Sequence, residues 1–220
     1  MEIAKGVAML QLDFHGNRIH PTLLWDDETA VLIDTGFPGQ MEDLRVAIQQ
    51  AGVSINKLHA VILTHQDMDH IGCLPEILKL PSQRVNVYAH ELDKPYIQGE
   101  MPLIKDAHME NPPKGKVDET LIDGQVLPVC GGIRVIHTPG HTLGHISLYL
   151  ERSKILIAGD SMYSVDGKLG GVHAPTTIDM QAARQSLKKF TALELAAVVC
   201  YHGGLSSINI NEQIQALAKL

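Results

Sequence analysis

The sequence predicts an α/β protein: two stacked sheets with helices on both outer faces, a four-layer αββα sandwich, formed as one domain over residues 1–220. Three observations lead there. Short apolar β-type runs occur in two blocks on either side of an aperiodic stretch, and helical spacings punctuate each block. Gly and Pro are spread along the chain and never gather into a linker. A chain of 220 residues is long enough to bury one sizeable core.

The first block opens with β-type runs at Val7–Leu12, Thr22–Trp25 and Ala30–Asp34, closed by the turn residues Thr35-Gly36-Phe37-Pro38-Gly39. Met41, Leu44, Ala47, Ile48 and Ala51 then recur at the spacing of an amphipathic helix over 40–51, which Gly52 stops. Ala60-Val61-Ile62-Leu63 reads as a fully buried strand. A short helix over 74–80 and a strand over 85–89 follow. Residues 91–118 lose periodicity, with Pro95, Pro102, Pro112 and Pro113 precluding a long helix. A stretch of this length is either a plain surface excursion or a lid or binding loop, the latter placing Tyr96, Ile97, Met101, Leu103, Ile104 and Met109 at a pocket mouth.

In the second block the runs Gln125–Val129, Ile133–His137, His145–Leu150, Lys154–Ala158 and Ala196–Cys200 predict strands. Helices are expected over 179–193, N-capped by Asp179, and from about Asn211, where Asn209 and Glu212 have capping-box spacing.

The formal charge of −7 and the scatter of the basic residues exclude a nucleic-acid-binding surface. No run reaches the roughly 18 apolar residues of a membrane span, and the N-terminus lacks the apolar core of a signal peptide. Cys73, Cys130 and Cys200 are odd in number and far apart, so neither a disulfide framework nor a thiolate zinc site is expected. These features predict a soluble cytoplasmic protein acting on a small molecule.

Four polar clusters carry the chemistry, each following an apolar run: His65-x-Asp67-x-Asp69-His70, Thr138-Pro139-Gly140-His141, Gly159-Asp160 and His202-Gly203-Gly204. Imidazoles and carboxylates that converge in space make a transition-metal site. In extended backbone His65, Asp67 and Asp69 would point one way, while His70 must point elsewhere, so one segment can serve two ions. The bland alternative is a polar loop that caps the next helix. His145 and Asp34 read as structural residues that brace the site, and Cys73 as a buried apolar group.

At these residues the sequence resembles the metallo-β-lactamase superfamily: the matches run over 64–72, over HTPGHTLGHIS at 137–147, over 158–160 and over 202–203, with Leu32-Ile33-Asp34-Thr35-Gly36 matching an early structural motif. The resemblance implies two divalent ions, zinc being expected and iron or manganese accommodated. It implies that His65 and His141 help hold the first ion, that Asp69, His70 and His202 hold the second, and that Asp160 bridges them. Asp67 departs from the pattern, standing where the family places a second histidine. A carboxylate there removes one unit of charge from the site, which should favour harder metals and acidify bound water less.

The reaction implied is attack by metal-bound hydroxide on the carbonyl of a lactone, ester or thioester, with Asp69 or Asp160 handling the proton. Tyr163, three residues after Asp160, is placed to steady the oxyanion as in the lactonase branch. Two alternatives are an iron-dependent oxidoreductase resembling the persulfide dioxygenases and a metal-binding protein without turnover.

Overall fold

The computed structural model describes residues 1–81 and 84–219 and consists of two compact units, 1–121 and 122–220. Each unit is built on its own mixed sheet.

In the first unit the strands are β1 (Glu2–Ala4), β2 (Val7–Met9), β5 (Thr22–Trp25), β6 (Ala30–Ile33), β7 (Leu58–Ile62), β8 (Asn86–His90) and β9 (Glu119–Leu121). They form one seven-stranded sheet in the order β1-β2-β5-β6-β7-β8-β9. Pairing is antiparallel as far as β6 and parallel from β6 to β9. The change of sense follows from what lies between strands: a two-stranded antiparallel pair closes through a tight turn, whereas a parallel neighbour needs a crossover. Helix α1 (Met41–Gln50) supplies the first crossover and buries Leu44 and Ile48. The short helices α2 (Met68–Ile71) and α3 (Leu74–Ile77) supply the second.

The expected strand over 7–12 is two strands. Val7–Met9 stays in the large sheet, while β3 (Leu12–Phe14) leaves it to form a hairpin with β4 (Asn17–Ile19). His15 and Gly16, at φ 49° and 87°, make the two-residue turn, a backbone that matches the twist of paired strands.

Within 91–118 the regular structure is a single helical turn, α4 (Lys94–Ile97). Pro95 falls in its first turn, where the missing N–H costs no hydrogen bond. Ile97 and Leu103 are 0% and 2% exposed, so they anchor this stretch and do not line a mouth; Met101 is exposed as expected.

In the second unit β10 (Val126–Leu127), β11 (Ile133–His137), β12 (Ile146–Leu150) and β13 (Ile155–Gly159) run as an antiparallel meander. Strand β16 (Ala197–Cys200) joins β13 in parallel, and β17 (Gly204–Ser206) closes the six-stranded sheet. A separate hairpin pairs β14 (Tyr163–Val165) with β15 (Lys168–Gly170) through Asp166-Gly167.

Helix α5 (Met180–Lys189) carries the expected cap, with the Asp179 side chain accepting the Ala182 N–H at 2.9 Å. Helix α6 (Ile210–Leu217) begins after Asn209, but the predicted capping box does not form: Asn209 sits at φ 51° and its side chain makes no cap bond. Phe190, Leu187, Ile210 and Ile214 from this helical region pack with Leu156, Val198 and Tyr149 of the sheet in one core cluster. Among the described residues no helix is long and apolar enough to cross a membrane.

The two units share a layout. In each, an antiparallel meander ends in a parallel strand pair, β6 with β7 and β13 with β16. Three of the four polar clusters lie at the C-terminal ends of β7, β13 and β16, where α/β proteins assemble sites, and the fourth, at 138–141, follows the antiparallel strand β11.

Gly72 is the closest approach in the first unit. A Cβ there would lie 2.2 Å from the Phe37 carbonyl carbon and 2.3 Å from the Gly36 oxygen. Gly39 has open space but a φ of +88°. Urea denaturation should therefore show Gly72→Ala losing about 3 kcal/mol or more through overpacking against backbone. Gly39→Ala should lose only about 1–2 kcal/mol through left-handed strain. Equal losses would show that the contact at Gly72 relaxes freely.

Candidate metal centre

In the first unit the centre is organised from beneath by Asp34. This residue ends β6 in the left-handed conformation, φ 61°, and is 1% exposed. Its Oδ1 accepts the Thr64 N–H and its Oδ2 the Thr64 hydroxyl, both at 2.8 Å. Oδ2 also accepts from His70 Nδ1 at 2.9 Å.

These bonds fix two tautomers. A carboxylate only accepts, so His70 Nδ1 carries a proton, and Nε2 is the ring nitrogen left for a metal. The Thr64 hydroxyl spends its one proton on Asp34, so the contact of Thr64 Oγ1 with His65 Nδ1 at 3.0 Å is a bond donated by the imidazole. Both rings, with centroids 3.9 Å apart, therefore present Nε2 as a base suited to a metal. Thr35 completes the support, its N–H and hydroxyl both donating to the His70 carbonyl.

The capping alternative fails on geometry. Asp67 is the N-cap of α2 yet makes no side-chain cap bond; its Oδ2 lies 3.2 Å from His65 Nε2 and is in contact with the ammonium of Lys105. The alternation expected of extended backbone holds for His65 and Asp67 only. Asp69 and His70 both come from the first turn of α2, with Oδ2 and Nε2 3.7 Å apart.

In the second unit Asp160 follows β13. Its Oδ2 is 3.3 Å from His141 Nε2 and 3.4 Å from His202 Nε2. His145 holds the Asp160 backbone: its Nε2 accepts the Asp160 N–H at 2.9 Å, and its Nδ1 contacts Thr138 Oγ1 at 2.8 Å. A backbone N–H can only donate, so His145 is neutral with its proton on Nδ1, the bracing role expected of it.

Glycines permit the turns that aim these ligands. Gly140 has φ 138° and packs on α5, where a Cβ would sit 2.4 Å from Ala183. Gly203, at φ 95°, lies so close to Ser164 that a Cβ would be 1.8 Å from its carbonyl oxygen.

The donor set fits a metal. Two ligands of one tetrahedral ion, with bonds of about 2.0–2.1 Å, lie about 3.3 Å from each other. The nitrogen–oxygen separations within the two units are 3.2, 3.7, 3.3 and 3.4 Å. Such spacings, with His65, His70 and His141 buried to 2% exposure or less, suit ligands and are unusual for surface ion pairs.

Comparison with known proteins agrees. The family model of the metallo-beta-lactamase superfamily matches residues 17–202. The chain belongs to this superfamily. It is 32% identical to a probable metallo-hydrolase, YflN of Bacillus subtilis, over 92% of this chain and 85% of that one. It is 28% identical to a hydroxyacylglutathione hydrolase of Buchnera aphidicola, over 86% of this chain and 63% of the relative. Among solved structures, the metallo-beta-lactamase family protein TTHA1429 of Thermus thermophilus superposes with a TM-score of 0.76 at 21% identity, covering 99% of this chain and 80% of that one. The metallo-β-lactamase fold, an α/β sandwich, is therefore the fold of this chain.

The chain is thus a relative of metallo-hydrolases, membership of the superfamily implies divalent metal ions, and the histidine and aspartate groups described above could bind them. Two residues near the centre were not singled out by sequence. Lys105 supplies the unit of positive charge that Asp67 removes. Asp106 is half-buried, and its carboxyl pKa is raised by burial and then by the negative charges of Asp67 and Asp69. Tyr163 lies on the β14–β15 hairpin, packed against Gly170 and edge-on to the exposed His173 at 6.1 Å.

Two predictions follow from the supporting bonds. Asp34→Asn keeps the shape but removes the charge that orders His70, and should weaken metal binding about 10–100-fold in a competition titration with a chelator; unchanged affinity would show that Asp34 serves only the fold. Cys73 is fully buried and its thiol is pushed up to about 12 by burial and Glu76, while burial raises Cys200 further. Neither should react with a thiol reagent at pH 8 until the protein is unfolded, and prompt labelling of either in the native state would show that its burial is transient.

Proposed function

We propose that this chain is a metal-dependent hydrolase that opens a lactone, ester or thioester carbonyl of a small molecule at a two-ion centre. The observation that carries this reading is the single oxygen Asp160 Oδ2, nearly equidistant from His141 Nε2 and His202 Nε2. An oxygen so placed suits a bridge between two ions. His65, Asp67 and His141 would hold the first ion and Asp69, His70 and His202 the second. Zinc fits this nitrogen and oxygen set, and the carboxylate at 67 also accommodates iron or manganese. Bound there, the ions acidify a water and polarise a carbonyl.

The chain's own residues do the rest. Asp34 and Thr64 hold the Nδ1 protons of His70 and His65, leaving Nε2 of each ring to face a metal. His145 fixes the backbone of Asp160. Asp69, half-buried, and Asp160 are placed to receive the proton that the attacking water loses and to return it to the leaving group. Tyr163 donates its hydroxyl proton in a hydrogen bond to the carbonyl oxygen as charge develops there. The hydroxyacylglutathione hydrolase relative supports including thioesters among the substrates. The net charge of −7 supports a small-molecule substrate over nucleic acid or a membrane surface. The three free, buried cysteines suit the reducing cytoplasm.

The reading is tested by assaying the metal-stripped protein against lactones, thioesters and aryl esters after reconstitution with zinc, manganese or iron. At least one class should be turned over, and His70→Ala should lower kcat/KM about 1,000-fold, the several kcal/mol a metal contributes to charge stabilisation. Tyr163→Phe should cost about 100-fold, mainly in kcat. Full activity in His70→Ala would overturn the mechanism, and full activity in Tyr163→Phe would remove the tyrosine from it.

A further inference from the structure

The first unit places a lysine where the superfamily pattern is broken. Lys105 belongs to the 91–118 stretch, and its ammonium is in contact with Asp67 Oδ2, the same oxygen that lies 3.2 Å from His65 Nε2. The side chains of Lys105 and Asp67 are 23% and 10% exposed, although Lys105 as a whole residue is exposed. Lys105 is also held in register. The neighbouring Ile104 N–H donates to Gln66 Oε1 at 3.0 Å, and the Gln66 N–H donates to Asp93 Oδ2 at 3.0 Å. Gln66, Asp93 and Leu103 are 0%, 0% and 2% exposed. The residue before Lys105 is thus tied to the residue before Asp67, a built arrangement unlike that of a free surface lysine.

A histidine at position 67 would offer a neutral nitrogen that no ammonium seeks. Aspartate offers an anionic oxygen, and Lys105 takes it. A divalent ion on that oxygen would sit within a few ångströms of the ammonium, with like charges opposed in a site of low dielectric.

We infer that the ammonium of Lys105 stands in for the first metal ion at Asp67, so that the two positions are unequal: the ion held by Asp69, His70 and His202 is the resident one, and the position at His65 and Asp67 fills weakly. This rests on the two-ion reading above. It also makes the 91–118 stretch a determinant of metal stoichiometry, since Lys105 must move off Asp67 before a second ion can bind.

The experiment is calorimetric titration of the metal-stripped full chain with zinc, repeated with cobalt and followed by visible absorption. Wild type should take one tight equivalent and a second at least 100-fold weaker. His70→Ala should lose the tight equivalent, whereas His65→Ala should keep it. Lys105→Met should strengthen the weak equivalent at least tenfold, and Lys105→Arg, which keeps the cation, should retain the wild-type inequality. Circular dichroism checks that each variant folds, and the arginine variant keeps the test valid if the methionine variant does not. Two equivalents of similar affinity in wild type would overturn the inference while leaving the metal mechanism intact. So would a Lys105→Met titration in which the weak equivalent is unchanged or weaker. Uptake of no zinc by wild type would overturn both.

Discussion

The carboxylate of Asp34 is the constraint around which the first half of the centre is arranged. It lies at the end of a strand, buried, in a backbone conformation that costs a non-glycine residue about 1–2 kcal/mol. That strain is offset by three hydrogen bonds, to the N–H and hydroxyl of Thr64 and to His70. Because β6 and β7 are parallel neighbours, Asp34 and Thr64, 30 positions apart in sequence, emerge side by side, and one carboxylate orients two imidazoles, His70 directly and His65 through Thr64. Moving Asp34 by one residue along β6 would turn its side chain to the other face of the sheet and release both rings.

The second unit solves the converse problem. There the imidazole of His145 is the support and the carboxylate of Asp160 is what it supports, through the backbone N–H. Thr138, Ser147 and Ser161 extend the network beneath, ending on the Ala158 carbonyl. Each half thus places a proton on one imidazole through a one-way partner: the Asp34 carboxylate, which only accepts, for His70, and the Asp160 N–H, which only donates, for His145. Such networks are expensive when partly satisfied, and this explains why so many polar groups sit buried behind the two clusters.

Much of this was legible in sequence because it is local. Continuous β-branched runs such as 60–63 and 155–158 marked the parallel strands, and polar residues directly after them marked the site. The bracing roles of Asp34 and His145 followed from their place beside those strands. Features that depend on backbone choice were harder. The break of 7–12 into two strands turns on His15-Gly16, and the β14–β15 hairpin on Asp166-Gly167, a turn signal present in the sequence. Asn209 and Glu212 had the right spacing for a capping box, yet a left-handed Asn209 cannot present its side chain to the helix. Asp69 departed from extended alternation because α2 begins at Met68, directly after the residue that both patterns share.

Lys105 had no sequence signal at all. It stands 38 residues from Asp67 in a stretch without periodicity, and only the tie between Gln66 and Ile104 brings it to the centre. Its presence changes the physical meaning of the Asp67 substitution. Counted alone, the aspartate lowers the charge of the site by one unit and predicts a less acidic bound water. Counted with Lys105, the charge at that corner is the same as with a neutral histidine, and what differs is where it resides: on a side chain that can leave. The departure from the superfamily pattern is then less a change in donor hardness than an exchange of a fixed neutral ligand for an ion pair that competes with the metal.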